Sequence, residues 1–188
     1  MTLPLRVNPA GGPVSTGIDA SLGAAPPGCD EQSLIYREGM SRLAAAVNIV
    51  TTDGPAGLAG FTATAVASIS DRPPSLLVCL NRTSGSAARL IANGVFCVNT
   101  LAAEHRALAD DFAGRTGLHG EARFARGAWG ALETGAPVLE DSLTSFDCRL
   151  MEVKDVATHH VLVGEVVAVR LGGEKPSLVY VHRRYHAV

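Results

Sequence analysis

The sequence predicts a mainly β protein, a closed antiparallel barrel carrying a few short helices. Three observations carry this. Short strand-like runs recur from Val47 to Tyr185, only two or three segments have helical spacing, and strands and helices do not alternate as a parallel α/β sheet requires. At 188 residues the chain fits one domain with a substantial core, and no internal repeat divides it.

The elements follow in order. Residues 1–30 hold half of the chain's prolines and five glycines, with only Arg6, Asp19 and Asp30 charged. Such a segment buries too little apolar surface to offset its ordering entropy, so it is expected to be a disordered or extended tail, with the folded domain over 31–188. Glu31 to Ala46 reads as a helix, with Leu34, Ile35, Met40 and Leu43 near helical spacing. Val47 to Thr52 and Leu58 to Ser70 flank the turn-rich Asp53-Gly54-Pro55-Ala56-Gly57, the pattern of a hairpin. Asp71-Arg72-Pro73-Pro74 forces a second turn before the strand Ser75 to Leu80. Ala87 to Asn93 reads as a short helix, Val95 to Leu101 as a strand, and Glu104 to Phe112 as a helix ending at Gly114. Phe146, Cys148 and Leu150 alternate with Asp147, Arg149 and Met151 as in a half-buried strand. Val161 to Leu171 is apolar almost throughout, as in a strand covered on both faces. Ser177 to Tyr185 closes the chain as a last short strand.

Composition excludes several classes. The formal charge is -2 with only 18% of residues charged, and no Lys/Arg stripe or block points to nucleic acid. Aromatic residues make up 5%, too few for a single-strand stacking platform. The longest apolar runs are far too short to span a bilayer. Cys29, Cys79, Cys97 and Cys148 show no Cys-x-x-Cys spacing, and three lie in apolar strands, which reads as buried thiols in a reducing compartment rather than a disulfide frame or zinc site. With no apolar run of signal-peptide length near the N-terminus, the expected location is cytoplasmic.

Two segments carry the chemistry. Read as one strand, Gly60 to Ser70 places Phe61, Ala63, Ala65, Ala67 and Ile69 on one face and Thr62, Thr64, Val66, Ser68 and Ser70 on the other. Alanines stand where a core strand has bulky branched groups, which suits either a flat ligand lying against the backbone or another element crossing closely. Asn81-Arg82-Thr83-Ser84-Gly85-Ser86 sits between a strand and a helix and offers an amide, a guanidinium and hydroxyls. It reads as an anion site suited to a phosphate, or as plain capping of the helix by Ser84 or Ser86. A ring over Thr62 to Ala65 with a phosphate at Arg82 to Ser86 describes a flavin nucleotide. No Gly-x-Gly-x-x-Gly, Gly-x-Ser-x-Gly or Walker loop offers a rival. His159 and His160, adjacent on a strand, point to opposite faces and cannot chelate one metal, so no metal site is expected. Phe112-Ala113-Gly114-Arg115 and Arg183-Arg184-Tyr185-His186 are either exposed charges or arginines and a ring placed at a ligand.

These segments together resemble the short-chain flavin reductase family. The resemblance runs from about Tyr36 to the C-terminus through Ala46 to Gly57, Gly60 to Ser70, Pro73 to Arg82, Phe96 to Leu101, Phe112 to Arg115, Ser145 to Cys148, Thr158 to Val166 and Tyr180 to His186. It implies the FMN-binding split barrel, a closed Greek-key antiparallel barrel, in a generally dimeric protein. It implies hydride transfer from NADH (or NADPH) to FMN (or FAD), with reduced flavin passing to a partner flavin-dependent monooxygenase. By the same resemblance Thr62, Ala63, Thr64 and Ala65 lie along the isoalloxazine, and Asn81, Arg82, Ser84 and Ser86 hold ribityl and phosphate. Phe112 and Arg115 stand near the other end, with Tyr185 and Ala46 also at the cofactor. His159 matches the histidine of a Gly-Asp-His motif associated with NADH, although here the motif is Ala157-Thr158-His159. Members also often carry Pro-Thr-Gly where this chain has Ala44-Ala45-Ala46. The stretches Asn93 to Leu101 and Phe112 to Leu118 look similar to reductases of corrin-ring cobalt. That leaves two alternatives open, a resident-FMN reductase of a cobalt corrinoid and a flavin-binding module without turnover. Flavin retention through gel filtration and NADH oxidation distinguish the three.

Overall fold

A computed structural model describes residues 30–188. The tail expected over 1–30 therefore falls, apart from Asp30, outside the described residues. Helix α1 (Glu31–Ser41) opens on Asp30, whose Oδ1 accepts the Ser33 N–H at 2.7 Å, satisfying one of the donors that a helix start leaves free. It stops short of the helix expected to Ala46, because Ala45–Ala46 forms a short strand, β1, with its own backbone pairing.

From there the strands are β2 (Asn48–Thr52), β3 (Ala59–Ala63), β4 (Val66–Asp71) and β5 (Pro74–Asn81). Helix α2 (Ala87–Asn93), β6 (Val95–Thr100) and helix α3 (Arg106–Phe112) follow, the last preceded by a 3-10 turn at Ala103–His105. A second 3-10 turn (Gly120–Ala125), β7 (Trp129–Ala131) and β8 (Pro137–Leu139) fill a region where periodicity is silent. The chain ends with β9 (Thr144–Val156), β10 (His159–Leu171), β11 (Leu178–Val181) and β12 (Arg184–Ala187).

Seven strands pair antiparallel in the order β3-β2-β6-β9-β10-β5-β4, while β1-β11-β12 and β7-β8 form two small sheets. The ladder starts at β3 and ends at β4, two strands that the chain joins directly through Thr64 and Ala65. Strand β2 is buried along its whole length: Val50 enters a cluster with Phe61, Val78, Leu90 and Phe96, whereas Val47 and Ile49 join one with Leu108, Phe112 and Leu139. Covered on both faces, it reads as a near-continuous apolar run. Gly164 of β10 has no room for a side chain, since a Cβ there would meet the Phe96 ring. Asn99, fully buried, accepts the Leu139 N–H and the Ser145 hydroxyl at 2.9 Å each and so ties β8 to the sheet.

Four expectations change. The stretch from Leu58 to Ser70 is not one strand. It breaks at Thr64-Ala65, where the Val66 N–H turns back to Thr64 O at 3.0 Å. The alternation slips by one residue at the break, so Phe61 and Ala63 are buried, Val66 packs on the core, and Ala67 and Ile69 face outward. β10 is not covered on both faces: Val169 is 50% and Leu171 81% exposed. Asp147, expected on the open face of its strand, is fully buried because Thr134 donates to it from both N–H and hydroxyl. The last strand is a hairpin, turning on His182 and Arg183 at φ 49° and 59°, the left-handed pair that a two-residue type I′ turn needs.

Candidate active site

The break in the β3–β4 strand opens the site. A cleft of about 410 Å³ runs along Phe61 to Ala65 and is faced by Asn81, Phe112, Arg123 and His159. The N–H groups of Thr64 and Ala65 find no acceptor among the described residues, and both residues are exposed. They are two adjacent donors on a wall of small side chains. The Thr62 hydroxyl is already engaged, donating to Ala109 O at 2.7 Å and fastening α3 behind the wall. Phe112, 2% exposed, forms the cleft's base and belongs to an aromatic cluster, its ring 4.8 Å from Phe124 and 5.7 Å from Trp129. Its edge lies where a Cβ on Gly60 would stand, 2.6 Å from Cε1, so only glycine allows this approach.

A second cavity of about 350 Å³ continues from the first, sharing Ser84 and Arg123 and adding Ser86, Arg89 and His119. Among the described residues no carboxylate lies within ion-pair reach of Arg89 or Arg123, so the cavity is basic and hydroxyl-lined. The Ser86 side chain does not cap α2; its hydroxyl donates to Gly60 O at 3.1 Å. Arg123 donates from Nε to Leu118 O at 3.0 Å and from Nη1 to Gly60 O at 3.3 Å and Phe112 O at 3.5 Å. Its Nη2 is left without an acceptor among the described residues.

A third cavity of about 170 Å³ shares Thr62, Thr64 and Ala113 with the cleft and is rimmed by Arg115, Tyr180 and Tyr185. Asp110 holds Arg115 at 2.9 Å, which sets its guanidinium 5.3 Å from the Tyr185 ring centre and 5.9 Å from that of Tyr180. Burial, against the pull of the Arg115 charge, pushes the Tyr185 phenol above its ordinary pKa.

The structure thus brings together Thr62, Ala63, Thr64, Ala65, Asn81, Ser84, Ser86, Phe112, Arg115, Tyr185 and His159 around one continuous groove. It does not bring Arg82 or Ala46 there. Arg82 turns to Asp155 and Ala157, and Ala46 is an exposed residue of β1 whose carbonyl accepts from Asn48. Sequence reasoning missed Arg89, His119, Arg123 and Tyr180. No local spacing marks Arg123, because its partner Gly60 lies 63 residues away. Cys97 and Cys148 are buried, and burial pushes both thiols up, Cys148 to about 12, so neither supplies a thiolate.

One unforeseen cluster lies elsewhere, where Glu104, His105 and Asp141 converge. His105 Nδ1 accepts the Ala102 N–H at 3.1 Å, which places the ring proton of the neutral imidazole on Nε2. Nε2 sits 3.1 Å from Asp141 Oδ2 but off-line for a hydrogen bond. In this tautomer Nε2 has no lone pair for a cation, and Lys175 occupies Glu104 at 2.6 Å.

An antiparallel sheet with a groove of small side chains that runs on into a basic, hydroxyl-lined cavity defines a class, and comparison with known proteins places the chain in it. Residues 40–188 match the flavin reductase like domain, and the chain belongs to that family. It is 55% identical to the FMN reductase (NADH) RutF of Agrobacterium fabrum, over 85% of this chain and 90% of that protein. It is 54% identical to FMN reductase (NADH) RutF 2 of Rhizobium rhizogenes, over 87% and 94%. Among solved structures, a Haemophilus somnus protein assigned as a flavin reductase superposes with a TM-score of 0.79 at 43% identity, covering 82% of this chain and 98% of that one. BorF, the flavin reductase component of a bacterial two-component tryptophan halogenase, gives 0.77 at 29% identity, over 83% and 98%.

Proposed function

We propose that this protein is an NADH:FMN oxidoreductase that releases reduced flavin to a partner flavin-dependent oxygenase. The observation that carries the reading is the continuity of the groove, a flat wall with two free N–H donors leading into a basic, carboxylate-free cavity. The residues fit FMN. Bound there, FMN would supply the hydride acceptor and NADH the donor, so that the cofactors would carry the redox chemistry.

The chain supplies geometry and charge. The wall from Thr62 to Ala65 lets a planar ring approach the backbone, and the N–H groups of Thr64 and Ala65 face it where negative charge grows on reduction. Ser84, Ser86, Arg89 and Arg123 hold the phosphate, Asn81 the ribityl hydroxyls, and Arg115 with Tyr185 the groove's far end. His159 orients the nicotinamide from the cleft's mouth. Holding two rings face to face replaces an effective molarity on the order of 10⁵ M or more. Hydride transfer itself needs no side-chain acid or base.

Three finer readings go with it. The corner at Thr64-Ala65, with β3 also packing against β5, supports closure of the sheet into a Greek-key split barrel. The exposed apolar side chains Met151, Val169 and Leu171 on β9 and β10 support a homodimer that covers them. No described helix is long and apolar enough to cross a membrane, and the free Cys79, Cys97 and Cys148 support the cytoplasmic reading. Anaerobic mixing of the protein with FMN and NADH tests the activity. Nicotinamide absorbance is expected to fall well above the protein-free control, and no difference from that control rejects the reading.

A further inference from the structure

We propose that Arg82 is a positioning residue for His159, and through it for the nicotinamide, rather than a ligand of the flavin phosphate; the proposal rests on the NADH:FMN reading above. Asn81 and Ser84 both line the groove, yet Arg82 between them lines none of its three cavities. Among the described residues its hydrogen bonds and ion pair all reach the β9–β10 hairpin. Val156 and His159 pair across that hairpin, so Ala157 and Thr158 form a two-residue tip, with Ala157 held at φ 49°.

Arg82 grips the tip at three points. Its backbone N–H donates to Thr158 O at 3.0 Å, its Nη1 donates to Ala157 O at 3.5 Å, and its Nη2 lies 3.5 Å from Asp155 Oδ2. The other Asp155 oxygen is 2.6 Å from His160 Nδ1, on the strand face opposite His159. His159 itself stands opposite Asn81 in the β10–β5 register and lines the cleft, with Nδ1 2.9 Å from the Thr158 hydroxyl. The ring atom left for a ligand is Nε2. The ring's hydrogen-bond partner is the neutral Thr158, and among the described residues no carboxylate pairs with the ring. Its placement depends on where the tip is held, and Arg82 and Asp155 hold it.

The test uses the full chain and the variants Arg82→Ala, Arg82→Lys, Asp155→Asn, Arg82→Ala with Asp155→Asn, and His159→Ala. The readouts are KM for NADH and the dissociation constants of FMN and riboflavin. The side-chain contacts are long and half-exposed, so Arg82→Ala is expected to raise KM for NADH about two- to fivefold, the worth of an exposed ion pair. FMN and riboflavin dissociation constants should stay within about twofold of wild type in that variant, consistent with that same small exposed-pair energy. Arg82→Lys recovers most of the loss, and the double variant is no worse than the poorer single one. Weaker FMN with unchanged riboflavin overturns the proposal in favour of a phosphate contact, and an unchanged KM for NADH overturns it outright. If His159→Ala also leaves that KM unchanged, the failure lies in the reading of His159; if His159→Ala raises it and Arg82→Ala does not, only the Arg82 step fails.

Discussion

Replacing Arg123 by glutamine separates what the arginine does for the fold from what it does for a phosphate. Three carbonyls, those of Leu118, Gly60 and Phe112, lose a charged donor, and the amide can reach at most some of them. That loss is structural, at most about 1.5–3 kcal/mol for each hydrogen bond to the charged group, and it weakens any flavin to the same degree. The second loss is specific. Nη2 has no protein acceptor among the described residues, and Arg123 borders the cavity of Ser84, Ser86 and Arg89. A charge-assisted bond from it to a phosphate contributes about 1.5–3 kcal/mol. Since 1.4 kcal/mol is tenfold, FMN should weaken about 10- to 100-fold more than riboflavin, which lacks the phosphate. Flavin fluorescence titration with both ligands reads the ratio, from which the shared structural loss cancels. A ratio within about twofold of wild type, below any charge-assisted bond's worth, refutes this placement of the phosphate.

Other consequences follow from the same geometry. Gly60→Ala sets a methyl 2.6 Å from Phe112 Cε1 and is expected to destabilise by about 1–3 kcal/mol in urea unfolding, with flavin affinity reduced as the cleft's base shifts. Cys79 lines the cleft and is half-buried, so iodoacetamide should label it in the native protein and FMN should protect it, while Cys97 and Cys148 stay unlabelled; peptide mass spectrometry reads each site. Partial burial raises the Asp141 pKa, but His105, the backbone N–H of Asp141 and the Lys175 charge together outweigh it and hold the carboxyl below its ordinary value. The folded protein then binds fewer protons than the unfolded chain just below about pH 4, so this contribution is present above that pH and lost as pH falls through the folded pKa. Asp141→Asn should flatten the acid limb of stability in denaturant titrations below about pH 4.

Local patterns were sufficient for much of the fold. The β2–β3 hairpin is announced by Asp53-Gly54-Pro55-Ala56-Gly57, and α2 occupies Ala87–Asn93 as its spacing predicts. The run of small residues from Ala63 to Ala65 is legible in the sequence, and in the structure these residues line the cleft. What failed, failed for identifiable reasons. The strand break at Thr64-Ala65 has no glycine or proline to mark it; it is imposed by the chain passing from pairing with β2 to pairing with β5. The closing turn at His182-Arg183 likewise lacks Asn or Gly, and the antiparallel pairing of β11 with β12 holds it in place.

Arg82 and Arg123 mark the boundary between the two kinds of information. By itself the sequence determined the mainly β class, the wall of small residues, the hydroxyl loop after β5 and the family, since each is written in spacing or in contiguous residues. Only the tertiary structure decided which arginine meets the groove. Arg82 adjoins the hydroxyl loop but is drawn to the β9–β10 tip, and Arg123 arrives from an irregular segment without periodicity. A guanidinium goes where acceptors are brought within hydrogen-bond reach, and those of Arg123 include carbonyls on a distant strand and a helix end, which meet only when the sheet and α3 have packed.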